Sequence, residues 1–97
     1  MLILHLLSER EMYGYELVKT IQARSKEAFN FGEGCVYPIL HYLEKTKLLK
    51  SERRDVGGRS RHYYALTPKG EKRLAELRGE WSGVAAGVAT ILGGQHA

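Results

Sequence analysis

The side chains best suited to chemistry in this chain gather between Tyr37 and Arg61. At about 100° of helix rotation per residue, Tyr37, Pro38, His41, Tyr42 and Lys45 fall on one side of a helix, away from Val36, Ile39, Leu40 and Leu43. Two phenols, an imidazole and an ammonium group on one exposed face can contact base edges or phosphates. Downstream, Arg53, Arg59, Ser60 and Arg61 surround the pair Gly57-Gly58. Guanidinium groups beside a glycine tip can reach phosphates or a narrow minor groove. Between His41 and Arg61 stand seven basic and three acidic residues, while the rest of the chain has eight of each, so the whole net charge of +4 sits in this stretch. Such a patch attracts a polyanion. The residues alone leave other readings open: surface helices commonly have a polar outer face, arginines beside a turn can keep an edge strand soluble, and a basic face also fits an acidic protein.

Other chemistries find no support. Ser8, Ser25, Ser51, Ser60 and Ser82 lack a Gly-x-Ser-x-Gly setting, and no glycine-rich loop ends in lysine followed by serine or threonine. Cys35 is the single cysteine and reads as a small residue at a helix start rather than a nucleophile. With His5, His41, His62 and His96 it supplies no zinc spacing, so neither a metal nor a cofactor is expected, and no enzymatic activity. The opening Leu-Ile-Leu-His-Leu-Leu is too short for a membrane span and lacks the features of a signal peptide. A cytoplasmic protein without membrane association is the expectation.

Ninety-seven residues with 43% apolar content suit one small domain that a partner subunit would help to stabilise. Leu2, Ile3, Leu4, Leu6 and Leu7 predict a buried helix with no capping residue before it, as though the chain began inside that helix or had its native start upstream. Ser8 to Met12 reads as a turn. Tyr13, Leu17 and Ile21, with Val18, predict a helix over about Gly14 to Arg24. After a turn at Asn30 to Gly34, a third helix is expected over about Cys35 to Thr46, with Pro38 tolerated near its start. Leu48 to Arg54 and His62 to Leu66 form a β-hairpin about a tip at residues 55–60. Thr67-Pro68 then caps and opens a last helix. The fold class is therefore mainly α with a small β-hairpin, a winged helix-turn-helix plus a C-terminal dimerisation helix.

In that last helix Leu74, Leu77, Trp81, Val84, Val88 and Ile91 recur at spacings of three and four and form a seam expected to bury itself against a second copy. Gly79, Gly83 and Gly87 each cost about 1 kcal/mol in a helix interior, so the helix either runs to about Leu92 or frays after Trp81. Trp81 has two readings. It is a packing anchor, or it pairs with its symmetry mate to sandwich a flat aromatic effector.

Three blocks carry a family resemblance. They are Met12-Tyr13-Gly14-Tyr15-Glu16-Leu17, the run Gly34-Cys35-Val36-Tyr37-Pro38-Ile39-Leu40-His41-Tyr42-Leu43-Glu44-Lys45, and the run from Arg59 to Gly70. Together they resemble the PadR family of transcriptional regulators in its short form with a single C-terminal helix, over most of residues 2–78. The resemblance implies a DNA-binding homodimer joined by its C-terminal helices. It further implies repression at inverted-repeat operators and release by a small aromatic or phenolic effector. Carried over by position, Tyr37 and Pro38 begin the DNA-facing part of the recognition helix, His41 and Tyr42 follow, and Arg59 and Arg61 are wing contacts. Cys35 stands where the family usually has threonine, serine or alanine, and Ser60 where proline or arginine is common. The expected division is a DNA-binding domain over 1–67 and a dimerisation helix with a short tail over 68–97.

Overall fold

A computed structural model describes residues 1–93. In chain order its elements are α1 (Leu2–Glu9), β1 (Met12–Tyr13), α2 (Gly14–Arg24), α3 (Glu33–Lys45), β2 (Leu49–Val56), β3 (Arg59–Leu66) and α4 (Pro68–Ile91). This is the expected winged-helix architecture with one added strand. The sheet is antiparallel in the order β1-β3-β2, so β3 is central only where β1 covers it. Met12 pairs with Tyr64 and Tyr13 with Tyr63. The stretch expected to be a turn, Ser8 to Met12, thus ends on the first residue of a two-residue strand, which is too short to show an alternating pattern. What holds it is burial, since Met12 and Tyr64 both lie in the core.

The hairpin is longer than expected. Gly57 and Gly58 have φ of 56° and 79°, the left-handed conformations that a two-residue hairpin turn requires. Such a tight connection lets Asp55 pair with Ser60 and Val56 with Arg59, so Arg59 belongs to a strand rather than to a loose tip. Helix α3 begins two residues earlier than predicted. Its N-cap is Gly32, and Glu33 in its first turn complements the helix dipole.

Leu4, Met12, Leu17, Val36, Leu40 and Leu49 are fully buried where α1, α2 and α3 meet the sheet. Among the described residues no polar or charged side chain is buried. Ile39 was expected in this core and is instead 42% exposed. Thr67 caps α4 as predicted, its hydroxyl accepting from the Gly70 N–H at 3.0 Å, with Pro68 next in line. The helix runs for 24 residues through all three glycines, about 36 Å at 1.5 Å per residue. Its first turns rest on the domain, and Leu74, expected on the intersubunit seam, is 2% exposed and belongs to the chain's own core. Leu77 is half-buried beside it. Beyond them Trp81, Val84, Val88 and Ile91 leave an exposed apolar stripe. No described helix is long and apolar enough to cross a membrane. His96 and the last residues of the expected tail lie outside the described residues.

Candidate nucleic-acid interface

Helix α3 has two buried anchors, Val36 and Leu40, and these set its rotation. With them inward, Gly34, Pro38, His41 and Lys45 follow at four- and three-residue spacing along the outermost ridge, and all four are exposed. The expected set of contact residues therefore divides. Pro38, His41 and Lys45 crown the helix. Tyr37 turns to one flank and Tyr42 to the other.

Tyr37 is half-buried, with its ring lying against the start of α2. A Cβ on Gly14 would stand 2.5 Å from Tyr37 Cε1 and 2.6 Å from its hydroxyl, so only glycine lets the ring lie there. Burial first, and then the nearby Glu33 carboxylate, raise the Tyr37 phenol above its ordinary pKa and keep it neutral. Its ring centroid is 6.4 Å from that of His41. Tyr42 is 64% exposed on the opposite flank. There it borders an apolar groove of about 590 Å³ between α1, α3 and α4, with Leu2, Phe31, Cys35, Ile39 and Leu77.

Strand β1 reaches only Tyr63 and Tyr64, so the outer part of β3 is a free edge. Along that edge opens a cleft of about 700 Å³ that brings Tyr37 and His41 of α3 together with Arg59, Ser60 and Arg61 of the wing. Tyr13, Gly14, Tyr15, Glu33, His62 and Tyr64 complete it; nothing in the sequence pattern marked them for this place. The Tyr13-Gly14-Tyr15 run was visible as a helix opening, but its wing neighbours are some fifty residues away in the chain.

Cross-strand partners point to the same face of a sheet, so the register sorts the wing cations. Arg53 opposes His62 and shares its face with Ser60, whose hydroxyl accepts from Arg53 Nε. Arg54 opposes Arg61, and both lie on the other face with Arg59. Arg54 is taken up by Glu11 at 2.5 Å and Glu52 at 3.3 Å. Lys45, Lys47, Lys50, Arg53, Arg59 and Arg61 form no ion pair among the described residues. Six of the seven cations in the basic stretch thus have their charge available. Among the described residues no group of histidine, cysteine and acidic side chains could hold a metal ion. What this surface can do is bind phosphates and read a groove.

The model of the transcriptional regulator PadR-like family matches residues 3–76, from α1 into α4. The chain belongs to the PadR-like family of transcriptional regulators. It is 39% identical over 93 residues to the transcriptional regulator Rv3488 of Mycobacterium tuberculosis, spanning 96% of this chain and 81% of that protein. Among solved structures, a PadR family transcription regulator of Clostridium difficile superposes with a TM-score of 0.81 at 32% identity, over 94% of both chains. Bacillus subtilis PadR in complex with operator DNA is a likeness of fold, with a TM-score of 0.72 at 22% identity over 78% of this chain and 44% of that one. The family and its relatives are transcriptional regulators and not enzymes.

Proposed function

We propose that this PadR-like chain binds double-stranded DNA as a homodimer and represses transcription from an inverted-repeat operator. The observation that carries this reading is the group of six cations without ion pairs around the exposed ridge of α3 and the wing. A helix of this width fits the major groove. Pro38, His41 and Lys45 face the bases, Tyr37 and Tyr42 flank them, and Arg53, Arg59, Ser60 and Arg61 clamp the phosphates. Bacillus subtilis PadR, which shares the fold, has been seen in complex with operator DNA, and this supports a DNA-binding role. Residues 1–67 are the DNA-binding part and 68–97 the dimerisation part.

Pairing is proposed through Leu77, Trp81, Val84, Val88 and Ile91, because a stripe with Trp81 57% and Ile91 85% exposed is costly to leave in water. Leu74 contributes by anchoring α4 to its own subunit. Two such subunits place their reading helices about one helical turn apart on the DNA, hence the inverted repeat. Trp81 is the proposed contact for a flat aromatic effector. Its release of DNA would come from unequal affinity for two arrangements of the dimer. The pairing is tested by Val84→Asp with Val88→Asp in sedimentation velocity. A shift to monomer is expected; an unchanged dimer would remove the α4 stripe from the interface. Titrating planar aromatics while following Trp81 fluorescence tests the effector, and a flat response across the panel would reduce Trp81 to packing.

A further inference from the structure

Arg54 and Arg61 are directly opposite each other on one face of the wing. Like charges in that position repel, and the sheet deals with them through a continuous ladder of contacts. The Arg54 guanidinium lies 4.8 Å from the Tyr63 ring centroid while ion-paired to Glu11 and Glu52. Tyr63 meets Tyr13 edge to face, with centroids 5.5 Å apart and planes at 70°. The Arg61 guanidinium lies 4.3 Å from the centroid of Tyr13. One arginine is thereby neutralised on the sheet, and the other is held over Tyr13, both residues being among those that line the cleft beside α3.

We propose that Tyr13 is a positioning residue for DNA binding, holding Arg61 over its ring so that the guanidinium is presented to a phosphate at the cleft between the wing and the reading helix. The proposal rests on the reading of this surface as a DNA interface. Stacking on an aromatic face occupies the plane of a guanidinium and leaves its edge N–H groups free to donate to phosphate oxygens. A side chain already held in place loses less freedom on binding. Tyr13 is well sited for the task because it is fixed twice over, as the residue that opens α2 and as a paired residue of β1. Arg61 itself has no carboxylate partner among the described residues that would compete with the phosphate.

The test is a double-mutant cycle read by fluorescence anisotropy on sheared genomic duplex DNA over a range of salt, using the full chain. Tyr13→Phe keeps the ring and should bind like the wild type. Tyr13→Leu should bind roughly tenfold more weakly, two contacts being lost in a dimer, with a shallower salt dependence. In an Arg61→Ala background Tyr13→Leu should cost nothing more. Additive losses, or a Tyr13→Leu loss with the salt slope unchanged, would overturn the proposal. Arg61→Lys leaves Tyr13 and its folding role intact, keeps the charge and gives up planar stacking. It should lose most of what Arg61→Ala loses, and wild-type binding by Arg61→Lys would equally overturn it. Absence of salt-dependent binding by the wild-type chain would instead refute the DNA reading itself, and this role with it.

Discussion

Arg54 and Arg59 are near neighbours on one face of the same hairpin, yet the electrostatics assign them opposite parts. Arg59 is exposed and free of ion pairs at the edge of the cleft, whereas Arg54 is bound to Glu11 and Glu52. Each phosphate neutralised in duplex DNA steepens the fall of log affinity with log salt by about 0.9. Arg59→Ala removes one contact from each of two subunits, so the slope should become shallower by about 1.8. Between about 50 and 200 mM salt the variant should therefore lose roughly twelvefold less affinity than the wild type loses. Arg54→Ala should change the slope far less, because its charge is already balanced within the wing. Anisotropy titrations of a labelled duplex at several salt concentrations measure both slopes directly. Equal flattening by the two substitutions, or none by Arg59→Ala, would refute the assignment of free and occupied cations.

Three further outcomes follow from the packing. A Cβ at Gly79, Gly83 or Gly87 would meet nothing within 4 Å, and the three lie off the apolar stripe. Each change to alanine should stabilise the chain by about 1 kcal/mol in thermal melts without altering its self-association, and a loss of pairing would show the glycine ridge to be part of the interface. Gly14→Ala forces the Tyr37 ring aside and should cost about 1–3 kcal/mol and weaken DNA binding, with Tyr37→Leu in the same chain restoring the melting temperature. The phenols of Tyr37 and Tyr64 both titrate above their ordinary value of 10.0, chiefly through burial, with Glu33 acting on the first and Glu44 and Tyr37 on the second. The unfolded chain therefore releases these protons first. Stability should be full below pH 10 and fall as pH rises through the folded-state values, and Tyr64→Phe should reduce that alkaline slope in denaturant midpoints.

Elements that end on local chemistry could be read from the sequence. Helix α2 starts and stops where its apolar spacing does, and Thr67-Pro68 marks the start of α4 because capping and proline geometry act over a few residues. Features decided by partners distant in the chain could not. β1 exists because Met12 meets Tyr64, and two residues carry no period of their own. The rotation of α3 was legible only to within a flank: the spacing grouped Ile39 with the core and Tyr42 with the polar face, whereas Val36 and Leu40 take the core positions and turn both toward the apolar groove. The seam of α4 was read as one stripe, although the domain claims Leu74 for itself where the helix is still in contact with α1. Charge counting located the basic surface, but the capture of Arg54 by Glu11 and the seating of Arg61 on Tyr13 depend on a strand order that no local pattern encodes.

Whether the ridge of α3 reads a duplex while the wing holds its phosphates can be decided by incubating the purified chain with the fragmented genome of its source organism and sequencing what it retains. A small set of fragments sharing an inverted repeat should be retained at low salt and released steeply as salt rises. Weak retention indifferent to sequence would contradict this reading, and would mark the basic face as a surface for an acidic protein instead.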